Sequence, residues 1–182
     1  MAELEAVGVP RPSTSPVFYR VSASRLTTAS SIESTASSSG EVEPVLLHHE
    51  GRLWVGAGSD HTDRDVETYS VAVSKQLCDK PVAGEFWRYD DVAGHWDELI
   101  LRSWIDGDVP YQEGALSNLM NPEDLSSRAE PPLADGTLMF CGTLAAIGGI
   151  RSAREFRYEL ADPVLDRAIR GGYTMRSLPL VS

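Results

Sequence analysis

The sequence predicts a mainly β chain of the α+β kind, with few and short helices. Two observations carry this. Apolar runs of strand length recur at 42–47, 53–58, 99–105 and 137–141, and Gly, Asp or Pro turn residues bound most of them. Helical signals are confined to short windows, so a helix-dominated fold is excluded.

Taken in order, residues 2–8 (AELEAVG) read as the last turns of a helix that Gly8-Val9-Pro10 stops. An extended loop follows to Pro16, and Val17-Phe18-Tyr19-Arg20-Val21 alternates as a strand. In 22–39, eleven of eighteen residues are Ser or Thr, which predicts a long, polar, mobile surface loop. Glu41 to Leu47, a turn at Glu50-Gly51-Arg52 and Leu53 to Gly58 form a strand–hairpin–strand pattern. Asp65 to Lys75 has apolar residues at 66, 69, 71 and 73, a mixed pattern that opens as a helix. Leu99 to Ile105 is a strand turned by Asp106-Gly107-Asp108, and Asp135-Gly136 leads into the strand Thr137 to Cys141. Arg154 to Leu160 alternates again, and 163–170 (PVLDRAIR) predicts a short helix with Pro163 in its first turn. There is no internal repeat. The expectation is one domain over residues 1–182.

A chain of 182 residues is long enough for one proper core. Its 16 basic and 27 acidic residues give a net charge of −11 and a pI near 4.7. That argues against nucleic acid and against anionic membrane surfaces as partners, because both need a basic footprint. No run approaches the roughly 18 apolar residues of a membrane span, and Met1 to Glu5 lacks the basic start of a signal peptide. Cys78 and Cys141 lack CxxC spacing and read as small buried hydrophobes in a cytoplasmic protein.

The chemistry-bearing residues are carboxylates. Glu41 and Glu43 sit two apart on a predicted strand, so both leave the same face, about 7 Å apart. They repel unless a cation or solvent lies between them; taken alone they also fit a solvated strand face. Ser59-Asp60-His61-Thr62-Asp63-Arg64-Asp65 packs three more carboxylates beyond a glycine-rich strand end. One of them, Asp60 or Asp63, fits a helix N-cap, but a cap explains only one. Lys75 offers a cation nearby, and Gly142-Thr143 offers a hydroxyl and backbone after an apolar strand. Three oxygen ligands suit a hard cation such as Mg2+ or Mn2+. Three carboxylates, one divalent ion and one lysine sum to a neutral site.

These residues resemble the fumarylacetoacetate hydrolase superfamily. Its Glu-x-Glu metal pair is matched by Glu41 and Glu43. Its Asn-Asp-x-x-x-Arg-Asp motif is matched by Asp60, Arg64 and Asp65 behind Ser59, with only the leading Asn changed. Its Lys-Ser-Phe…Pro segment is similar to Lys75-Gln76-Leu77…Pro81, at a small length difference. Asp106-Gly107-Asp108, Gln112, Gly114 and Met120 resemble its Asn-Gly-Glu…Gln-x-Gly…Met segment, and Asp135-Gly136…Gly142-Thr143…Gly148 its closing Gly-Asp…Gly-Thr segment. The likeness runs from Phe18 to Gly149. Its wording is nearest a bacterial branch known as a domain of unknown function.

The resemblance implies a mixed β-sandwich roll, a homodimer, and Mg2+ or Mn2+ held by Glu41, Glu43 and Asp60. It implies hydrolase or lyase chemistry on a small 1,3-dicarbonyl or oxo acid through a metal-stabilised enolate, by C–C cleavage, decarboxylation, hydration or isomerisation. Lys75, Glu3 and His61 become the catalytic candidates, and Arg20, Arg64, Gln112, Gly142 and Thr143 the substrate-binding ones. Family hydrolases carry a His–Glu pair on an N-terminal lid helix. Here Glu3 matches its acid and the histidine falls before Met1, so the lid reads as truncated. That departure keeps a second function open, a non-catalytic relative that holds a metal or a small molecule.

His48-His49 read as exposed hairpin residues and His95-Trp96 as packing. None of the histidines makes an HExxH pattern, which disfavours zinc. Trp54, Trp87, Trp96 and Trp104 are scattered in the manner of core or interface residues.

Overall fold

The computed structural model describes residues 15–179. Its strands run in the order β1 (Leu26–Thr27), β2 (Ser31–Ser34), β3 (Ser38–Ser39), β4 (Val42–His49), β5 (Arg52–Ser59), β6 (Thr62–Asp63), β7 (Lys80–Pro81) and β8 (Trp87–Arg88). They continue as β9 (Ile100–Ile105), β10 (Val109–Ala115), β11 (Leu138–Phe140), β12 (Glu155–Asp162) and β13 (Arg167–Ser177). A five-stranded sheet has the order β10-β9-β12-β13-β2, a four-stranded sheet β11-β4-β5-β8, and two small ladders join β1 to β7 and β3 to β6. The fold is mainly β, as the sequence predicts.

The β4–β5 hairpin organises the four-stranded sheet. Glu50 and Gly51 both have positive φ, 52° and 67°, the backbone that a two-residue turn needs to match strand twist. The register then pairs His49 with Arg52 and Val42 with Ser59, and the Asp60 amide extends it by donating to the Glu41 carbonyl at 2.9 Å. In the other sheet, β9 and β12 alternate, turning Leu101 and Ile105, and Phe156, Tyr158 and Leu160, inward. These side chains meet Leu46, Val55 and Ile169 in one core. The Phe156 ring centroid lies 6.0 Å from Tyr111 and 5.6 Å from Tyr173.

The mixed pattern after Asp65 resolves into two short helices, α1 (Arg64–Tyr69) and α2 (Val71–Leu77). Ser70 ends the first and caps the second, accepting from the Val73 amide. A third, α3 (Pro122–Arg128), starts at Asn121, whose side chain accepts from the Glu123 amide.

Several expectations are corrected. Residues 17–21 form no strand. The Ser/Thr-rich stretch is not a mobile surface loop: it contributes β1, β2 and β3 and buries Ile32, Ser34, Ser38 and Ser39. Its hydroxyls find partners inside, Ser38 on His61 and Thr35 on Asp63, which offsets the cost of burying them. The helix predicted at 163–170 is a turn followed by β13, with Asp166 at φ 50°. Gly171 on β13 leaves room for the Tyr158 ring, which a Cβ there would meet at 2.4 Å. β10 carried no strand signal, because Pro110 and a register shift interrupt its alternation.

Candidate metal centre

The β4–β5 register gathers the acids at one end of the hairpin. Glu41 and Glu43 flank Val42 at the start of β4, and Asp60 lies just past β5. One carboxylate oxygen from each of Glu41, Glu43 and Asp60 lies within 4.8 Å of the others. Glu43 and Asp60 are buried, and Glu41 is half-buried. The Gly142 amide donates to Glu43 Oε2 at 2.7 Å from a backbone of φ 96°, where glycine is favoured.

Cations surround this triad. Lys75, in the last turn of α2, donates to Asp60 Oδ2 and sits 3.9 Å from Glu41 Oε2. Lys80 on β7, buried, lies 2.8 Å from Asp60 Oδ1 and donates to the His61 carbonyl. Arg64 Nη2 is 3.2 Å from Glu41 Oε1, its Nη1 donates to Glu67 Oε2 at 2.8 Å, and its Nε donates to Ser39 Oγ at 2.7 Å.

The electrostatics follow from crowding. Burial and the neighbouring Asp60 push Glu43 up to about 8, against the opposing pull of Lys75. Burial would raise Asp60 as well, but Lys75 and Lys80 outweigh it and hold the carboxyl below its ordinary range. Burial would lower Lys75; Asp60, Glu41 and Glu43 instead hold it above the ordinary lysine range. Arg64 stays ionised in the same way, with Glu41 and Glu67 overriding its burial.

An all-oxygen donor set fits a hard divalent ion. Both Asp60 oxygens are ion-paired, Oδ2 with Lys75 and Oδ1 with Lys80 at 2.8 Å. Glu43, by contrast, is buried beside Asp60 and Glu41 with the Gly142 amide as a donor, a crowding that a bound cation would relieve. Glu41, Glu43 and Asp60 therefore fit a metal, and they are the residues that would hold it.

The other candidates are placed as follows. Gln112 is a buried brace: its Oε1 accepts from the Val42 amide at 2.9 Å and Ser103 Oγ at 3.0 Å, and its Nε2 donates to Thr143 Oγ1 and the Leu144 carbonyl at 2.7 Å each. Thr143 Oγ1 donates in turn to the Val42 carbonyl at 2.7 Å. Together they fix the 142–144 loop beside β4. His61 is buried with both ring nitrogens engaged, Nδ1 on Tyr173 Oη and Nε2 on Ser38 Oγ at 2.8 Å each. Burial, then Lys80 and Arg64, hold its imidazole down to about 3, so the ring is neutral. Arg20 is exposed and reaches the Glu130 and Pro131 carbonyls at 3.3 Å, while Glu3 lies outside the described residues.

Asp63 is the helix cap, accepting from the Val66 amide at 3.0 Å. His48 is half-buried and His49 exposed at the end of β4. Sequence reasoning missed Lys80 and Glu67. Lys80 belongs to no motif, and its signal was a lone lysine ahead of Pro81-Val82-Ala83 in a core-bound segment. Among the described residues no helix is long and apolar enough to cross a membrane.

A family model described as Protein of unknown function (DUF2848) matches residues 1–173. No curated protein sequence matches the chain. Among solved structures, maleylpyruvate hydrolase from Sphingobium sp. SYK-6 superposes with a TM-score of 0.67 at 15% identity, covering 86% of this chain and 64% of that one. A 2-keto-3-deoxy-D-arabinonate dehydratase complexed with magnesium and 2,5-dioxopentanoate superposes with a TM-score of 0.61 at 16% identity, covering 88% and 63%. The fold is thus of the fumarylacetoacetate hydrolase type. The chain spans a little under two thirds of the length of these structures.

Proposed function

The chain belongs to the DUF2848 family, and from that premise we propose that it is a divalent-metal-dependent hydrolase or lyase acting on a small oxo acid. The observation that carries the reading is the Glu41–Glu43–Asp60 triad, three carboxylates with oxygens within 4.8 Å and Glu43 buried against its two acidic neighbours. The magnesium and 2,5-dioxopentanoate of the similar dehydratase support the same reading. The choice between Mg2+ and Mn2+, the homodimer and the cytoplasmic location belong to this proposal too.

A divalent ion bound there supplies Lewis-acid polarisation of a keto oxygen and stabilises charge developing beside it. The chain's own residues do the rest. Lys75, held protonated among the three acids, would offer its ammonium to an oxyanion formed beside the triad. Gly142 holds Glu43 in place through its amide, and the Gln112–Thr143 brace fixes the loop that carries it. Arg64 orients Glu41 through its ion pair. With both nitrogens of His61 occupied, that ring acts by holding the Asp60 segment rather than by taking a proton.

The test is a Mg2+- or Mn2+-supplemented screen of oxaloacetate, acylpyruvates and related β-keto acids, with Lys75→Ala as the control. Turnover that EDTA abolishes and Lys75→Ala cuts by about a hundredfold or more supports the proposal. Activity on none of these acids by a metal-loaded protein sinks it in favour of a metal-bearing binding protein.

A further inference from the structure

A triad of carboxylates with a single lysine is neutral once a divalent ion is added. The structure contains a second lysine. Lys80 is 3% exposed and 2.8 Å from Asp60 Oδ1, and it is anchored on the His61 carbonyl. Its charge is therefore fixed beside the ligand set and little screened by solvent. Among the described residues the remaining members of this ion-paired network, Arg64 and Glu67, cancel each other. With a divalent ion on Glu41, Glu43 and Asp60, these ion-paired groups sum to one net positive charge instead of none.

We propose that Lys80 sets this charge, and that it thereby makes a divalent cation and a singly charged oxo-acid anion bind cooperatively. The inference rests on the metal-enzyme reading above and adds the charge of the substrate to it. Lys80 acts through Asp60 and through its field. The cation enters against Lys80 repulsion and so binds weakly alone. A monoanion beside it removes the excess charge and tightens both, and the coupling is reciprocal by linkage. A neutral carbonyl compound gains nothing from Lys80.

The experiment is calorimetric titration of Mg2+ into the metal-stripped protein, with and without pyruvate, for wild type, Lys80→Met, Lys80→Gln and Lys80→Arg. Pyruvate is expected to tighten Mg2+ binding to wild type by about tenfold or more. In Lys80→Met, Mg2+ alone binds about tenfold tighter and the pyruvate effect shrinks toward none, whereas Lys80→Arg retains it. Lys80→Gln keeps an amide donor for the Asp60 and His61 oxygens and gives the same readout where the Met variant does not fold. A merely structural role would not move the pyruvate dependence. A folded neutral variant with wild-type coupling, or with weaker Mg2+ binding, overturns the inference, as does wild-type Mg2+ binding indifferent to pyruvate. Wild type that binds no Mg2+ at all overturns the metal-enzyme reading and this inference together.

Discussion

Two buried carboxylate sites in this molecule solve the same problem in opposite ways. Asp162, at the end of β12, has a fully buried side chain. Its Oδ1 accepts from the Val164 and Leu165 amides at 3.2 and 3.1 Å and lies 3.0 Å from His95 Nε2, while its Oδ2 accepts from Arg167 Nε at 3.1 Å. Burial alone would raise it, but the Leu165 amide, Arg167 and His95 hold it below its ordinary range. Every oxygen is met from the chain itself, so Asp162 ties the β12–β13 turn to the 93–98 segment and has no capacity left. At the Glu41–Glu43–Asp60 centre, three acids crowd together, and Glu43 is pushed up to about 8 although Lys75, Lys80 and Arg64 pair with its acidic neighbours. A carboxylate saturated by its own chain is structural; carboxylates left in mutual repulsion call for an external cation.

The largest expected contrast is a double dissociation. Glu43→Gln relieves the repulsion and keeps an acceptor for the Gly142 amide, so stability changes by less than about 1 kcal/mol. Mg2+ affinity falls by about a hundredfold or more. Asp162→Asn behaves the other way, losing about 2–4 kcal/mol of stability with Mg2+ affinity intact. Urea denaturation paired with calorimetric titration of each variant reads both quantities, and a stability loss in Glu43→Gln equal to that in Asp162→Asn would erase the distinction.

The two sites also differ in the sign of their pH dependence. Glu43 is raised from 4.5 to about 8, so the metal-free fold binds a proton that the unfolded chain has released. Its stability therefore falls as pH rises between those values. Asp162 is lowered from 3.8, so its contribution is present above that value and lost on acidification below it. Denaturation in EDTA across neutral pH should show a decline in wild type that is flattened in Glu43→Gln. Mg2+ should bind more weakly as pH falls below about 8, since a proton competes for Glu43.

The smallest effect belongs to the brace. Gln112→Leu leaves the Val42 amide and the Thr143 hydroxyl short of a partner and costs about 1–3 kcal/mol. It loosens the loop carrying Gly142, and a severalfold loss of Mg2+ affinity is expected by titration. An unchanged affinity would show that the loop is fixed without Gln112.

The legibility of these features in the sequence follows their locality. The β4–β5 hairpin was readable because Glu50-Gly51 is a local turn signal between apolar runs, and with its register came the spacing of Glu41, Glu43 and Asp60. A helix cap at Asp60 or Asp63 was readable on similar grounds, and the structure places it at Asp63. The burial of the Ser/Thr-rich stretch was not, because it depends on distant partners such as His61 and Asp63. The segment 163–170 carried a helix-compatible pattern, and only pairing with β12 makes a strand of it. Lys80 is the sharpest omission: nothing in its neighbours shows that a two-residue strand brings its ammonium to Asp60.

The central claim is that the crowded acids, unlike Asp162, are arranged for a cation. Calorimetric titration of Mg2+ into EDTA-stripped wild-type protein tests it most directly. The account predicts one ion bound per chain, with binding lost in Glu43→Gln and retained in Asp162→Asn. A folded wild-type protein that binds neither Mg2+ nor Mn2+, with all three carboxylates present, would contradict it.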